Sequence, residues 1–459
     1  MTVWDVIILG AGPAGIFAAL ELSRKAPEMS VLILDKGHDI ENRQCPGRGK
    51  IGGCLNCDLC SITSGWGGAG AFSDGKLTLT NRFGGFLHEY ISGRRLMELI
   101  EYIDSIWLEF GATDRIFGTD EQGIQELVRR AATAGLELIP APIRHLGSDN
   151  SPKILKNMYA YLKPRVEIRM LSEVKQIIVR DGKVQGVLLA DGAEERCRYL
   201  IAAPGREGSS WFSQEAMRLG LTQEINPVDI GVRVEIPAVV ADEITEKVWE
   251  PKIHYYSRAF DDLIRTFCVC PRGEVVVENT GGVVTVNGHS WSGYTTDNTN
   301  FALLVSKTFT QPFRKPITYG KYIASLANML GGGVIVQRLG DLLDGRRSTE
   351  KRLAKSMVEP TLKDATPGDL TLVLPYRYIR NILEMLEALN KLMPGIWAKH
   401  TLLYGVEVKF YSARVKVSED MSTEVEGMYA VGDGAGITRS LAQASVSGVI
   451  AANSILAQG

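Results

Sequence analysis

The stretch Val3-Trp4-Asp5-Val6-Ile7-Ile8-Leu9-Gly10-Ala11-Gly12-Pro13-Ala14-Gly15 opens the chain with a mostly apolar run of strand length and a glycine turn. A helical pattern follows from Ile16 to Lys25, and a second apolar run, Val31 to Leu34, ends at Asp35. Strand, glycine turn, helix, strand and acidic residue occur here in the order that predicts a βαβ unit binding a dinucleotide.

Each feature of such a unit has a physical task. Gly10 makes the tight turn, Gly12 lets the backbone approach a pyrophosphate, and Gly15 lets the helix pack closely on the strand. The helix N-terminus offers N–H groups to the phosphates, and Asp35 can accept from ribose hydroxyls. We therefore expect cofactor contacts at Gly10, Gly12, Pro13, Ala14, Gly15, Asp35 and Lys36.

Composition and charge exclude several function classes. The 459 residues carry 51 Lys and Arg against 53 Asp and Glu, a formal net charge of −2, which argues against nucleic-acid and polybasic membrane partners. Hydrophobic residues make up 45% and charged residues 23%, as in ordinary globular proteins. The apolar N-terminal stretch is interrupted by glycines and a proline, so we expect no membrane span and a cytoplasmic protein with reduced thiols.

The rest of the chain predicts an interleaved α/β architecture. Helical patterns occur at about 90–110, 121–134 and 151–162, after a glycine-rich ordered loop at 43–86. Apolar runs at 166–170, 174–179, 184–189 and 196–202, with Asp-Gly turns at 181–182 and 191–192, predict a β-meander. A mixed segment precedes a last strand and a helix from Ser440 to Leu456. The predicted domains are 1–210 and 402–459, which bind the cofactor, and 211–401, which binds substrate.

Two further strand ends carry glycine signals: an apolar run reaches Gly205 through Ala203-Pro204, and Tyr429-Ala430-Val431 leads into Gly432-Asp433. With the first motif, they resemble the glutathione-reductase-like FAD/NAD(P)-binding fold, a Rossmann-type domain with a β-meander interrupted by an α+β substrate domain. The resemblance implies FAD, with Gly205 near the cofactor and Gly432 and Asp433 at its ribityl or pyrophosphate part. Asp433 also suits a helix cap, and both readings can hold at once.

Four more segments are similar to signatures of a bacterial family of uncharacterised FAD-dependent dehydrogenases: Ser64 to Leu77, Ile230 to Glu235, Cys268 to Gly273, and Val286 to Ser290. In the first, glycines expose backbone N–H groups and allow close approach to a flat ring, which suits a flavin; a crowded turn is the alternative. Further cofactor contacts are expected at Gly67, Gly68, Ala69, Phe72, Val174 and Ala444.

Four cysteines have the spacing Cys45-x8-Cys54-x2-Cys57-x2-Cys60. Closely spaced thiolates can converge on one metal centre, and the C-x2-C-x2-C part matches the opening of a bacterial ferredoxin loop, so the pattern predicts a [4Fe–4S] cluster. Zinc, a redox-active dithiol and reduced structural thiols are the alternatives. The commoner form of the resembled family lacks the full set of four, so the chain is expected to be a variant of it.

Candidates for substrate chemistry are fewer. His289, and Tyr255 with Tyr256 beside His254, could donate a proton, with a structural role as the alternative for each. Lys76 and Arg233 could hold an anionic substrate or the flavin, with ordinary surface ion pairs as the alternative. Cys268 and Cys270, two apart on a predicted strand, are expected in the core, where a bridge between them would strain disulfide geometry.

These features predict an FAD-dependent oxidoreductase that exchanges a hydride and a proton with a small organic substrate, by C=C reduction or dehydrogenation. No second glycine motif suits NAD(P)H, so electrons are expected to enter from a ferredoxin-like donor through the cysteine cluster. The alternative class is an electron-transfer or redox-sensing flavoprotein with a protein partner. The long middle segment favours the enzyme, because a relay needs no such domain.

Overall fold

A computed structural model describes residues 3–46, 57–73, 75–147, 150–280, 282–291, 294–309, 315–410 and 413–458. The chain divides into two compact units. Unit 1 comprises Met1–Arg115, Arg144–Asn226 and Ser412–Gly459, and unit 2 comprises Ile116–Ile143 and Pro227–Tyr411. These bounds differ from the sequence-predicted domain ranges mainly at Ile116–Ile143, and those ranges remain a proposal.

The described strands, in chain order, are β1 (Val3–Leu9), β2 (Val31–Leu34), β3 (Lys76–Thr78), β4 (Glu137–Ile139), β5 (Ile143–His145), β6 (Glu167–Arg169), β7 (Val174–Arg180), β8 (Lys183–Leu189), β9 (Glu194–Ala202), β10 (Gln223–Glu224), β11 (Val228–Pro237), β12 (Lys252–Tyr256), β13 (Leu263–Cys270), β14 (Glu274–Thr280), β15 (Val283–His289), β16 (Asn298–Lys307), β17 (Ile335–Arg338), β18 (Thr366–Pro367), β19 (Leu402–Lys409), β20 (Arg414–Val415) and β21 (Met428–Ala430).

The described α-helices are α1 (Pro13–Lys25), α2 (Gly93–Glu109), α3 (Glu121–Thr133), α4 (Ser151–Leu162), α5 (Ser209–Arg218), α6 (Ala238–Thr245), α7 (Pro316–Gly331), α8 (Leu339–Leu343), α9 (Glu350–Leu353), α10 (Tyr376–Leu392) and α11 (Leu441–Gln458). The helices predicted near 90–110, 121–134 and 151–162 and the C-terminal helix are confirmed within a few residues. None of the helices in the described ranges is long and apolar enough to cross a membrane.

Unit 1 is built on a sheet with the order β6–β2–β1–β9–β8–β7, with β21 also paired to β9. Strands β6, β2, β1, β9 and β21 run parallel, while β7, β8 and β9 form an antiparallel meander. The Rossmann-type fold with a meander is therefore confirmed. The expectation that the run at 166–170 opens the meander is wrong, because β6 pairs in parallel with β2 and the Asp-Gly turns join only the three later strands.

Unit 2 is built on a sheet with the order β18–β17–β19–β11–β16–β13–β12–β4. Its central strand β11 alternates Val228, Ile230, Val232, Val234 and Ile236 with polar residues or glycine, and both sets are buried. Successive side chains point to opposite faces of a strand. One face is therefore apolar and shares a core with α3, α6, α7 and α10, while the other carries buried charges and adjoins the β14–β15 hairpin.

Strand β13 departs from the regular strand that the sequence predicts. Its pairing with β16 shifts register between Phe267 and Cys270, and Cys268 has a left-handed backbone with φ of 46°. A bulge of this kind places an extra residue on one strand and changes where its side chains point. The expectation of a regular strand is therefore wrong at this point, although the two thiols do lie on the same side, with their Sγ atoms 3.9 Å apart.

Candidate functional site

The three glycine motifs of unit 1 meet at one edge of its sheet. Leu9, at the end of β1, lies opposite Ala202 of β9, which in turn lies opposite Ala430 of β21. Because these strands are parallel, the turns that follow them leave the sheet at the same carboxyl edge. Ligands of doubly wound folds bind at this edge.

The turn after β1 shows why glycines occupy its ends. Gly10 has φ of 99°, and a Cβ there would lie 2.1 Å from the carbonyl oxygen of Ala203. A Cβ at Gly15 would lie 2.0 Å from the carbonyl oxygen of Gly10. Both glycines are therefore required by backbone packing, in agreement with the turn and helix-packing roles expected from the sequence.

Gly12 differs from the other two glycines of the motif, Gly10 and Gly15. Its φ of −79° is accessible to any residue, and the nearest non-neighbouring atom to an added Cβ would be Gly68 Cα at 4.0 Å. The protein's own packing therefore leaves room for a side chain at this position. It precedes α1, whose N-terminus has no side-chain cap and no acidic residue in its first turn. An unfilled Cβ position beside uncapped N–H groups fits a pyrophosphate.

The glycine loop after the cysteine segment packs on this turn. The N–H of Gly67 donates to the carbonyl of Ala11 at 2.7 Å, and a Cβ at Gly68 would lie 3.1 Å from Gly12 Cα. Gly67 and Gly68 both have a left-handed backbone, with φ of 87° and 56°. The two glycine motifs thus form adjoining walls of one cradle, in which Ala69 and Phe72 are partly exposed.

Sequence reasoning missed the residue that holds this loop. Arg43 is 4% exposed, and its guanidinium donates to the carbonyls of Ser61, Ile62, Trp66 and Gly68. Burial lowers the pKa of Arg43 to about 10, although the charges of Asp35 and Cys60 oppose this shift. A basic residue at the start of a glycine-rich loop was a weak signal, because its acceptors are backbone carbonyls that no side-chain pattern reveals.

Asp35 joins two turns of the cradle. One carboxylate oxygen accepts from the N–H of Ala11 at 2.8 Å and the other from the N–H of Gly37 at 2.7 Å. A carboxylate offers about four lone-pair sites, so two remain for further donors such as ribose hydroxyls. Lys36, next in the chain, lies 4.0 Å from Glu207 and is partly exposed.

The C-terminal motif closes the same edge. Gly432 has φ of 76°, and its N–H donates to Ser447 Oγ of α11 at 3.1 Å. Asp433 accepts from Thr438 Oγ1 at 2.7 Å and from Arg206 Nε at 3.1 Å. A Cβ at Gly434 would lie 2.3 Å from the carbonyl oxygen of Gly205, so this turn and the turn after β9 are in contact.

The remaining predicted cofactor residues lie on neighbouring elements. Ala444 is buried in α11, whose backbone packs closely on α1, since a Cβ at Gly448 would lie 2.0 Å from the carbonyl oxygen of Ala14. Val174 begins β7 and pairs with Leu189. The structure brings the residues of the three motifs together at one edge, and their contact with a cofactor remains a prediction.

The three residues predicted to take part in catalysis lie on different strands. Tyr255 of β12 is 8% exposed and belongs to the apolar core of unit 2, where burial raises the pKa of its hydroxyl. His289 ends β15 with its ring 5.0 Å from that of Trp291, and Lys76 begins β3 in unit 1. Their catalytic roles remain predictions.

Arg233 is fully buried on the charged face of the unit 2 sheet. Its guanidinium donates to both carboxylate oxygens of Glu407, at 2.8 and 3.0 Å, and to Asn300 Oδ1 at 2.7 Å. Weaker contacts reach the Cys268 carbonyl at 3.1 Å and Asn287 Oδ1 at 3.4 Å. These protein acceptors already engage the N–H groups of Arg233, which the predicted role in holding an anion would require.

The predicted metal ligands lie partly outside the described residues. Cys57 is exposed and Cys45 and Cys60 are partly buried, whereas Cys54 falls in the segment 47–56, which is not described. Within the described ranges, no group of three or more His, Cys, Asp or Glu side chains is placed to hold a metal ion. The four-cysteine cluster therefore remains a prediction.

Part of the chain matches a known protein family. Residues 227–410 match the family described as "FAD-dependent protein, C-terminal domain-like". Together with the dinucleotide-binding fold of unit 1, this match indicates a protein that depends on FAD.

One curated relative, an uncharacterized protein of Clostridium beijerinckii, is 27% identical over 477 aligned positions, covering 98% of this chain and 80% of that protein. Among solved structures, 3-ketosteroid-Δ4-(5α)-dehydrogenase from Rhodococcus jostii is 13% identical with a TM-score of 0.45, covering 98% of this chain and 96% of that one. L-proline dehydrogenase from P. horikoshii is 11% identical with a TM-score of 0.44, covering 99% and 94%.

Proposed function

We propose that this chain is an FAD-dependent dehydrogenase or reductase that exchanges a hydride and a proton with a small organic substrate, at a C=C bond or its saturated counterpart. The observation that carries the proposal is the shared sheet edge of the three glycine motifs, with an open Cβ position at Gly12. FAD, when bound, supplies the hydride chemistry.

The residues of unit 1 account for cofactor binding in this proposal. The uncapped N-terminus of α1 and the backbone at Gly12 hold the pyrophosphate, and Asp35 accepts from the ribose. The loop at Gly67 and Gly68, braced by Arg43, positions the flavin half of the cofactor. Asp433 accepts a hydrogen bond from the same half.

Unit 2 supports a role in substrate binding. Charged side chains are rarely fully buried unless they are paired, and Arg233, Glu235 and Glu407 are all 0% exposed on one face of its sheet. Glu235 accepts from Tyr404 and from Thr361 Oγ1 at 2.5 Å, and from Asn298 Nδ2 at 3.1 Å. Burial raises the pKa of Glu235, against the lowering effect of these donors. Protein partners already engage these groups, so we infer that the network holds the sheet of unit 2 in one arrangement, on which a substrate site is built.

The finer part of the proposal concerns the electron donor. The x2 spacing of Cys54, Cys57 and Cys60 and the remote Cys45 support a [4Fe–4S] cluster, and a ferredoxin-like protein as the donor. The test is iron and acid-labile sulfide in anaerobically purified protein, compared with a variant in which all four cysteines are serine. A preparation with full flavin and no iron would exclude the cluster.

The test of the main proposal starts from the purified full chain. FAD content is measured first, and the flavin is then offered NADH, NADPH and reduced ferredoxin in turn under anaerobic conditions. We expect bound FAD, bleaching by one of these donors, and reoxidation by an unsaturated organic acceptor. Protein that binds no FAD after reconstitution would overturn the proposal. Rapid bleaching by NADPH alone would retain the enzyme and reject the ferredoxin-like donor.

A further inference from the structure

Two thiols lie close together in the bulge of β13. The Sγ atoms of Cys268 and Cys270 are 3.9 Å apart, and no disulfide bond joins them. The separation results from the register shift after Phe267, which brings two nearby side chains to a common point. A bridge between residues two apart in a regular strand would be strained, and the bulge replaces that regular geometry.

The backbone at this point is in an unfavourable conformation. Cys268 has φ of 46°, in the left-handed region that favours glycine. Neighbouring structure must stabilise such a residue, and strained positions of this kind cluster at functional sites. A cysteine that only filled the core would gain nothing from this conformation.

The surroundings of the pair are polar. Arg233 Nη1 lies 4.0 Å from Cys270 Sγ and donates to the Cys268 carbonyl at 3.1 Å. Both Arg233 and Lys409 interact electrostatically with Cys268. The carboxylate of Glu407 pairs with both cations, and the N–H of Cys268 donates to Glu250 Oε1 at 3.1 Å, so the thiols lie within a network of charged groups of both signs.

Cys197 in β9 provides an internal comparison. It is 5% exposed within the apolar core of unit 1, and burial raises the pKa of its thiol to about 12. A thiol in that setting is inert. Cys268 is more exposed than Cys197 and has a second thiol 3.9 Å away, so we expect the two cysteines to differ in reactivity.

We propose that Cys268 and Cys270 form a second redox centre, which exchanges with small-molecule disulfides and does not depend on the flavin. The partly exposed Cys268 thiolate attacks the external disulfide, forms a mixed disulfide and releases one thiol. The fully buried Cys270 then attacks Cys268 Sγ and releases the second thiol. The protein dithiol is oxidised by two electrons to a disulfide, and the external disulfide is reduced to two thiols.

Peptide mapping tests this assignment without interference from other cysteines. Trypsin cleaves after Arg265 and Arg272, so the peptide 266–272 contains both cysteines and no other. The reduced full chain is treated with oxidised glutathione, quenched with N-ethylmaleimide, denatured and digested. We expect the peptide to lose the mass of two hydrogen atoms and to carry no label, and a reductant to reverse both changes. A peptide that is doubly labelled after treatment would overturn the proposal.

Two variants test the order of attack. Cys270→Ser should accumulate glutathione on Cys268, because the resolving thiol is missing. Cys268→Ser should remain reduced, because Cys270 is 0% exposed. Equal glutathione adducts in the two variants would overturn the assignment of roles. In the unaltered chain, Cys197 should stay unmodified by glutathione, so its modification at the same rate would show general unfolding and contradict the proposal.

Discussion

The N–H of Gly67 donates to the carbonyl of Ala11 across 2.7 Å, and this bond joins two turns that are distant in sequence. The βαβ motif and the glycine loop therefore form one cradle. Residues that shape this cradle fall into two groups: those required by the protein's own packing, and those whose identity the packing does not explain.

Gly12 and Gly15 belong to different groups, and alanine substitution should separate them. Gly12→Ala places a Cβ where the nearest non-neighbouring atom is 4.0 Å away, so the fold should tolerate it while FAD binding weakens about tenfold or more, which corresponds to about 1.4 kcal/mol. Gly15→Ala places a Cβ 2.0 Å from the Gly10 carbonyl and should reduce the free energy of unfolding by about 1–3 kcal/mol.

Flavin titration of the apoprotein and urea unfolding measure these two effects. Gly15→Ala serves as the control for a glycine with a packing role. FAD affinity equal to that of the unaltered chain in Gly12→Ala would show that no ligand occupies the open Cβ position.

Arg43→Met should loosen the glycine loop. The substitution leaves four carbonyls, one buried and three partly buried, without their donor, and we expect a loss of about 3 kcal/mol in the free energy of unfolding. Arg43→Lys keeps the charge but has fewer donors in a different geometry, so it should restore part of the stability. Urea unfolding monitored by tryptophan fluorescence checks both values. Equal stability of the Met and unaltered proteins would show that these bonds contribute nothing.

The parts of this fold that the sequence predicts are those with local signals. The turn at Gly10 to Gly15 and the Asp-Gly turns of the meander depend on residues that are close in sequence, and the structure has them as predicted. Strand β6 was assigned to the wrong partner because parallel pairing depends on distant residues. The sequence does not reveal the role of Arg43, since its partners are backbone carbonyls 18 to 25 residues further along the same loop.

The bulge of β13 shows a second limit of prediction from the sequence. The alternation of side chains along a regular strand predicts Cys268 and Cys270 on one face. Nothing in the residues from Leu263 to Cys270 signals the register shift. The shift appears only in pairing with β16, a strand that follows much later in the chain. Pairing of this kind determines where side chains point, so the thiol pair could not be assigned from sequence.

Acid should weaken unit 2 through Asp262, which accepts from Arg377, Lys307 and Asn381. Burial opposes the shift, but these donors outweigh it and hold the pKa of Asp262 well below 3.8. The stabilisation is complete above the pKa of the unfolded state and is lost as the pH falls toward that of the folded state. Asp262→Asn should therefore cost about 2 kcal/mol near pH 6 and progressively less below about pH 4.

The neighbouring Asp261 provides a matched control. It is exposed and has φ of 54°, a conformation that asparagine tolerates, so Asp261→Asn should leave the free energy of unfolding nearly unchanged at both pH values. Urea unfolding at each pH measures the difference. A cost of Asp262→Asn that does not change with pH would contradict the assigned ionisation.

Asp433 tests whether the C-terminal motif binds the cofactor or only orders its own turn. Its carboxylate accepts from Thr438 Oγ1 at 2.7 Å, and Thr438 is 2% exposed. If the carboxylate orders the turn through this bond, Thr438→Val should weaken FAD binding as much as Asp433→Asn does. If it accepts from the cofactor, Asp433→Asn alone should weaken FAD binding, by about tenfold or more, because an amide replaces a charged acceptor. We expect the second outcome, measured by flavin titration, since the three motifs meet at this edge and the carboxylate has sites for further donors.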